Sequence, residues 1–543
     1  MGGPSADAGA PVATSTPASA SASAPAPAAP AGHAPLEGSA RAWGTIALSA
    51  ATFMNVLDSS IANVSLPAIA GDLGVSPNQG TWVITSFAVA NAIAVPLTGW
   101  LSQRFGQVRL FVASVLLFVL ASWLCGLAPS MPMLIAARAL QGLVAGPMIP
   151  LSQSLLMASY PRALAGLAMA MWSMTTLVAP VMGPLLGGWI TDNFSWPWIF
   201  YINVPVGVAA AFAAWMLYRR RETAVRRLPI DTVGLALLVV WVGALQMTLD
   251  LGKEHDWFQS PLITGLAVVA AVGFAFFIAW ELTDDHPVVD LRLFARRNFW
   301  AGTLALSVSY GLFFGNVVLV PLWLQQFMGY TATDAGTVMA PVGLLALVLS
   351  PVVGRTIGRV DARKYATFAF VVFALVLWMR SRFTTGTDMA TLLAPTLVQG
   401  VSMAFFFIPL ITITMSGLSP ERLAAASGLS NFVRITFGAV GTSVSTTLWE
   451  SRAALHHAQL AESVHPASPA MQQALAGLQA AGMSTQQALA QVNRLVDQQA
   501  FTLAADDIFW LSALLFLAMI PLVWLTRRPG AAGRGGEAAA GAH

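Results

Sequence analysis

Three charged side chains interrupt segments that are otherwise apolar: Asp58 within FMNVLDSSIANVSLPAI (53–69), Arg138 at the head of RALQGLVAG (138–146), and Arg434 near the middle of a later run. A charge at the centre of a membrane helix costs roughly 2.5 to 3.5 kcal/mol on the insertion scale, so each needs a partner or water. Burial favours the neutral form of a carboxylate and a neighbouring arginine favours the ionised form, so small movements of the arginine or of water change its protonation state. Asp58 and Arg138 therefore form a candidate proton-coupling pair. A permanently ionised structural pair would use the same two residues, and Arg138 could instead snorkel to the interface; the residues alone leave these readings open.

Elements that span a bilayer must position these charges. Of the 543 residues, 56% are hydrophobic and 9% charged, against roughly one quarter charged in ordinary soluble domains. Apolar segments recur at 43–69, 80–101, 108–127, 132–157, 163–190, 197–218, 231–250, 261–281, 299–323, 335–354, 365–380, 389–415, 426–450 and 507–526, each near the roughly 20 residues a membrane helix needs. The expectation is an all-α membrane protein of fourteen spans. With the amino terminus inside, twenty basic residues fall in cytoplasmic segments and five (Lys253, Arg380, Arg382, Arg452, Arg494) in outer ones, the asymmetry of the positive-inside rule. Both termini are thus expected in the cytoplasm. Residues 1–40, rich in Ala, Pro and Ser, read as a disordered tail, 529–543 as a second tail, and 451–506 as an outer loop folded into a small helical hairpin. That hairpin is either a solvated cap or a docking surface for a partner.

Several functions are excluded or disfavoured. The basic residues are spread between apolar segments and form no nucleic-acid-binding patch. The one cysteine, Cys125, allows no internal disulfide, the seven histidines show no metal-ligand spacing, and no phosphate-binding G-x-x-x-x-G-K-[ST] loop is present. No metal site and no cofactor are expected, nor does a nucleophile, base and oxyanion set assemble from these spans. The work must draw on another energy source.

Depth and facing follow from helix geometry. Asp58 lies about 22 Å above the cytoplasmic face and Arg138 about 9 Å below the outer face, so they share a level in the outer half. Asn55, Ala62 and Ser65 fall on the Asp58 side of the helix, while Phe53, Val56, Leu57 and Val64 fall away from it. The small, polar face is expected to line a central cavity. Gln141, Gln246, Asn316 and Gln399 are uncharged polar residues within spans that either line the same cavity or hydrogen-bond between helices. Arg434, without an acidic neighbour in sequence, either contacts helix carbonyls or attracts anionic substrates.

The chain also repeats itself. GWLSQRFGQVRLF from Gly99 and GRTIGRVDARKYA from Gly354 share Gly, Arg five positions on (Arg104, Arg359) and a basic residue ten positions on (Arg109, Lys364). Gln141-Gly142 pairs with Gln399-Gly400, and Ala165-Gly166-Leu167 with Ser427-Gly428-Leu429. The offsets of 255, 258 and 262 residues drift slowly. Two six-helix halves, 41–222 and 298–528, with an inserted pair of spans at 223–297, account for fourteen. Parallel repeats of this kind are a transporter signature, with substrate bound near the midplane between the halves.

These features resemble the major facilitator superfamily, specifically its fourteen-span drug:proton antiporters. VLDSSIANVSLP (56–67) resembles their first-helix motif, RALQGLVAG their fourth-helix motif with its intramembrane arginine, and APVMGPLLGG (179–188) their fifth-helix antiporter motif, with Gly183, Pro184, Gly187 and Gly188. The loop residues Gly99, Arg104, Gly106 and Arg109 fit the family's gating motif, but Gln103 stands where Asp is usual and Gln107 where a basic residue is usual. The resemblance implies export of hydrophobic compounds and drugs in exchange for protons across a bacterial inner membrane. It further implies a periplasmic adaptor of the membrane-fusion type and an outer-membrane channel. A narrower exporter of fatty acids or a siderophore, and a non-transporting receptor or scaffold on the same fold, are the rivals.

Overall fold

The computed structural model describes residues 2–3, 34–75, 77–161, 164–225, 229, 231–464 and 468–528. The tail expected at 529–543, most of that at 1–40, and Arg162, Arg226, Arg227 and His465 lie outside them. Pro35–His543 forms one compact unit, and every regular element among the described residues is helical.

Among the described residues, twelve helices are long and apolar enough to cross a membrane, and Trp82–Ala94 with Thr98–Phe105, bent by 62°, makes a thirteenth if taken as one span. The helix Ala165–Asn193 stands where span 5 was expected, so the fourteen expected segments are compatible with this set. Numbered by those segments, span 1 is Gly38–Asp72, span 2 the bent pair, span 3 Gln107–Gly126, span 4 Met131–Ala145 with Met148–Ser159, and span 5 Ala165–Asn193. Span 6 is Trp198–Tyr201 with Asn203–Tyr218, span 7 Thr232–Leu251 and span 8 Pro261–Thr283. Spans 9 to 12 are Arg297–Gln326, Ala332–Thr356, Ala362–Arg380 and Met389–Thr414.

Spans 13 and 14 run far beyond their apolar cores, as Pro420–Ser463 and Thr485–Trp524. The segment 451–506 is therefore mainly two helices continued out of the bundle, joined through a short helix, Pro469–Ala480. A Ser484–Gln487 capping box starts the second extension, satisfying orphan backbone donors where the apolar pattern is weak.

The repeat is visible in packing. Span 1 packs on spans 5 and 6 as span 9 packs on spans 13 and 14, and span 3 packs on spans 4 and 6 as span 11 does on spans 12 and 14. Spans 7 and 8 pack on each other, and span 7 also on spans 2 and 13. Span 8 turns Val268, Val272 and Phe276 outward, as a lipid-facing helix must.

The halves meet closely at the arginine-rich end, which carries Arg104, Arg109, Arg355 and Arg359. A Cβ on Gly99 would lie 2.7 Å from that of Ala425, and one on Gly354 2.8 Å from the carbonyl oxygen of Gly166. A Cβ on Gly428 would lie 3.1 Å from the carbonyl oxygen of Val95, and one on Gly166 2.6 Å from that of Gly354. Gly99 and Gly354, like Gly166 and Gly428, are matched positions of the repeat, so the same contact is made twice across the pseudo-twofold. This end of the bundle is closed.

Candidate functional site

Asp58 is fully buried, and Arg138 is 1% exposed. Arg138 Nη1 donates to Asp58 Oδ2 at 2.5 Å and to Gln141 Oε1 at 2.7 Å, and its Nε donates to the Val83 carbonyl at 3.1 Å. Gln141 Nε2 and Asn203 Nδ2 both donate to Asp58 Oδ1, at 3.0 and 2.7 Å. The guanidinium also lies over the rings of Phe87 and Phe200, 4.3 and 5.6 Å from their centroids. Three donors thus surround the carboxylate and two aromatic faces flank its arginine, the satisfaction that a buried ion pair requires. Each position has a local cause: Arg138 and Gln141 sit three apart on one face of span 4, and Ser122 of span 3 accepts from Asn203 at 3.0 Å to aim its amide.

The shared level of Asp58 and Arg138 is found, but the facing expected for Asp58 is not. Its carboxylate points into the six-helix half, toward spans 4 and 6, and not into a central cavity. Asn55 donates to the Ala145 carbonyl of span 4, Ser65 pairs with Thr191 of span 5 at 2.8 Å, and Ala62 is fully buried. A face of small and polar residues serves close helix packing as well as it serves a cavity. Burial of Arg138 likewise removes the snorkelling alternative.

Gly183 and Gly187 explain how span 5 approaches: a Cβ would lie 2.3 Å from Ser60 Oγ in the first case and 2.8 Å from Ile61 Cγ1 in the second. Gly188 faces open space, and the Pro184 side chain lies outside the described residues. At the gating loop, Gly106 takes a φ of 88° where its Cβ would strike Glu222. Glu222 accepts from the backbone of Val108 and Arg109 at 3.0 and 2.9 Å, capping span 3. Arg104 lies over Trp100, and Gln103 donates to the Gly99 carbonyl of its own helix at 3.4 Å.

The other half carries a related centre with a different charge pattern. Asn316 follows Asp58 by 258 residues, as Gln399 follows Gln141, and Arg380 follows Cys125 by 255. Arg380 was expected in an outer loop; it closes span 11 and is 1% exposed. Its Nη2 donates to Gln399 Oε1 at 2.6 Å, as the Cys125 thiol does to Gln141 Oε1 at 3.5 Å. Its Nη1 is buried without a hydrogen-bond partner, and among the described residues no carboxylate is paired with it. Asn316 donates to Ser512 of span 14 at 3.1 Å. Asn316 and Gln399 therefore belong to the interior of the second half rather than to a cavity. Gln246 donates to Asp250 of its own helix at 3.0 Å, in the inserted pair.

Arg434 is 5% exposed, donates to Asn431 Oδ1 at 2.6 Å, and lies over the rings of Tyr310 and Phe407, at 4.5 and 5.9 Å. Asn431 donates to Gln153 Oε1 of span 4 at 3.0 Å, and Ser427 donates to the same oxygen. Asn203, Arg380 and Gln153 were not singled out from the sequence. Asn203 and Gln153 were detectable as amides inside apolar runs, whereas Arg380 sits at a segment boundary, where hydropathy cannot separate buried from solvated.

Two six-helix repeats with a buried ion pair at the centre of one of them are the architecture of a secondary transporter. The profile of the Major Facilitator Superfamily matches residues 48–442, and the chain belongs to that superfamily. It is 53% identical over 506 residues to the multidrug export protein EmrB of Escherichia coli (strain K12), covering 93% of this chain and 99% of the relative. It is 49% identical to the fatty acid resistance protein FarB of Neisseria gonorrhoeae over 503 residues, 93% of this chain and 99% of that one. Among solved structures, the human organic anion transporter MFSD10 superposes with a TM-score of 0.54 at 13% identity, over 90% of this chain and all of that one, a likeness of fold.

Proposed function

We propose that the protein exports hydrophobic toxic compounds and drugs across a bacterial inner membrane in exchange for protons, with both termini in the cytoplasm. The single observation that carries the coupling is the Asp58–Arg138 pair, a carboxylate buried with its counter-ion and two further polar groups, Gln141 and Asn203. Protonation of Asp58 removes the charge that holds Arg138 and loosens the contact between spans 1 and 4. With the arginine-rich end taken as cytoplasmic, the closed end faces the cytoplasm, and opening toward the outside is the state in which a proton enters. Substrate and proton then share one conformational equilibrium rather than one pocket, because Asp58 lies inside the half. Export of multiple drugs is favoured by the 53% identity to EmrB. The 49% identity to FarB favours, as a second reading, a narrower range that includes fatty acids.

By resemblance, the protein hands its substrates to a periplasmic adaptor of the membrane-fusion type (EmrA-like) and an outer-membrane channel (TolC-like). The helical extensions of spans 13 and 14 supply an outer surface for such docking. Substrate-induced proton release from the purified protein tests the coupling: wild type releases protons and Asp58→Asn releases none, whereas equal release would remove Asp58 from the role. Competition by long-chain fatty acids decides between the broad and narrow readings. Deletion of residues 460–500 is expected to abolish adaptor binding while the membrane domain still binds drug, and retained adaptor binding would end the docking idea.

A further inference from the structure

Two hydrogen bonds that join one six-helix half to the other converge on a single atom, Gln153 Oε1. It accepts from Asn431 Nδ2 at 3.0 Å and from Ser427 Oγ, both on span 13. All three residues are at least 96% buried. The matched position across the repeat, Ile411, is an apolar residue 3% exposed, and Met169 stands where Asn431 stands in the other half. The polar link is therefore made once, not twice, unlike the glycine contacts beside it.

Gln153 belongs to the helix that holds the ion pair. Arg138 and Gln141 grip Asp58 from the first segment of span 4, and Gln153 lies on the second, beyond Gly146 and Pro147. Pro147 removes the backbone hydrogen bond to Leu143, so the two segments meet at a point of low bending stiffness. Ser152, next to Gln153, accepts from Thr52 of span 1 at 2.7 Å and from Trp172 of span 5 at 3.1 Å, so the second segment is anchored on both sides.

We propose that Gln153 is the positioning residue that transmits the charge state of Asp58 to the closed end, a proposal that rests on Asp58 being the proton site. When Asp58 is ionised, the ion pair draws the first segment of span 4 toward span 1 and Gln153 meets Ser427 and Asn431. When it is neutral, span 1 separates from the first segment, the second segment, tied to span 1 through Thr52 and Ser152, shifts with it about Pro147, the Gln153 oxygen leaves span 13, and the halves part. The charged and titratable groups facing Asp58 are Arg138 and, through Gln141, the Cys125 thiol. Those beside the latch are Arg434 and Tyr310.

The test uses the full chain with spin labels on cysteines at Ser39 and Ser419, both exposed, the native Cys125 being buried. Electron–electron distance measurements at pH 8 and pH 5 read the closed and open populations. Wild type is expected to lose closed population at pH 5, and Asp58→Asn to lose this response. Gln153→Leu lowers the closed-to-open ratio about fivefold or more at pH 8 and flattens the pH response, though Asp58 is intact. Ser427→Ala, which removes one donor to the same oxygen, lowers the ratio in the same direction, and the double variant of Gln153→Leu with Ser427→Ala adds nothing to Gln153→Leu, as expected of one shared link. A wild-type distribution and response in Gln153→Leu, or additive effects in the double variant, would overturn the latch. A response that survives in Asp58→Asn but vanishes in Gln153→Leu would instead overturn the proton site, and a wild type insensitive to pH would overturn the transmission.

Discussion

Gly354→Ala isolates the closing of the arginine-rich end from all other chemistry. The added Cβ would lie 2.8 Å from the Gly166 carbonyl oxygen, 2.8 Å from Ala170 Cβ and 3.0 Å from Leu167 Cα. Two of those three neighbours are backbone and cannot swing aside, so relief to ordinary contact needs span 5 and span 10 to separate by about half an ångström. Overpacking of this kind costs about 1–3 kcal/mol. Replacing a helical glycine by alanine also gains about 1 kcal/mol of propensity, but that gain is present in both conformations and cancels from their ratio. If the contact exists only when this end is closed, the closed-to-open ratio falls about 5- to 150-fold. The label pair at Ser39 and Ser419 reads that ratio directly. Gly188→Ala, whose Cβ meets nothing within 4 Å, is the control and leaves it unchanged. A closed fraction in Gly354→Ala equal to that of wild type would refute the reasoning, since it would mean that the two helices approach as closely in every conformation.

Two of the buried arginines, Arg138 and Arg380, give further tests. In a double-mutant cycle, Asp58→Asn and Arg138→Gln each destabilise the purified protein by about 3–5 kcal/mol, and the pair together costs much less than the sum; a coupling within measurement error would show that the contact is not an ion pair. Arg380→Met is expected to leave thermal stability unchanged or raise it, because Nη1 has no partner to lose, whereas Arg138→Met strands Asp58 and lowers it. Equal losses in both variants would contradict the assignment of Arg380 as an uncompensated charge.

Legibility in the sequence followed the physics of each signal. Span positions were readable because long apolar runs leave little freedom, and the repeat was readable because Gly99, Gly354, Gly166 and Gly428 must each be small at the same crossing. The level shared by Asp58 and Arg138 came from counting residues at a fixed rise. Its direction did not: Asn55, Ala62 and Ser65 mark a face that packs tightly, and tight packing against spans 4 and 5 looks the same in sequence as a polar cavity wall. Arg380 was lost at a boundary where an arginine in water and one inside the bundle have identical neighbours in the chain. Gln246 shows the opposite error, a polar residue inside a span whose need is met four residues along its own helix by Asp250.

The helix of span 13 carries one more consequence. It begins beside the latch and continues unbroken to Ser463, so Ser427 and Ser463 are joined by one rod of about 54 Å. A rotation of the second half by about 15°, of the size seen when packed subunits rotate, would sweep the far end through roughly 14 Å. The position of that tip is then an external pointer to the internal state: anything seated on it can sense, without touching the substrate path, which way the transporter faces.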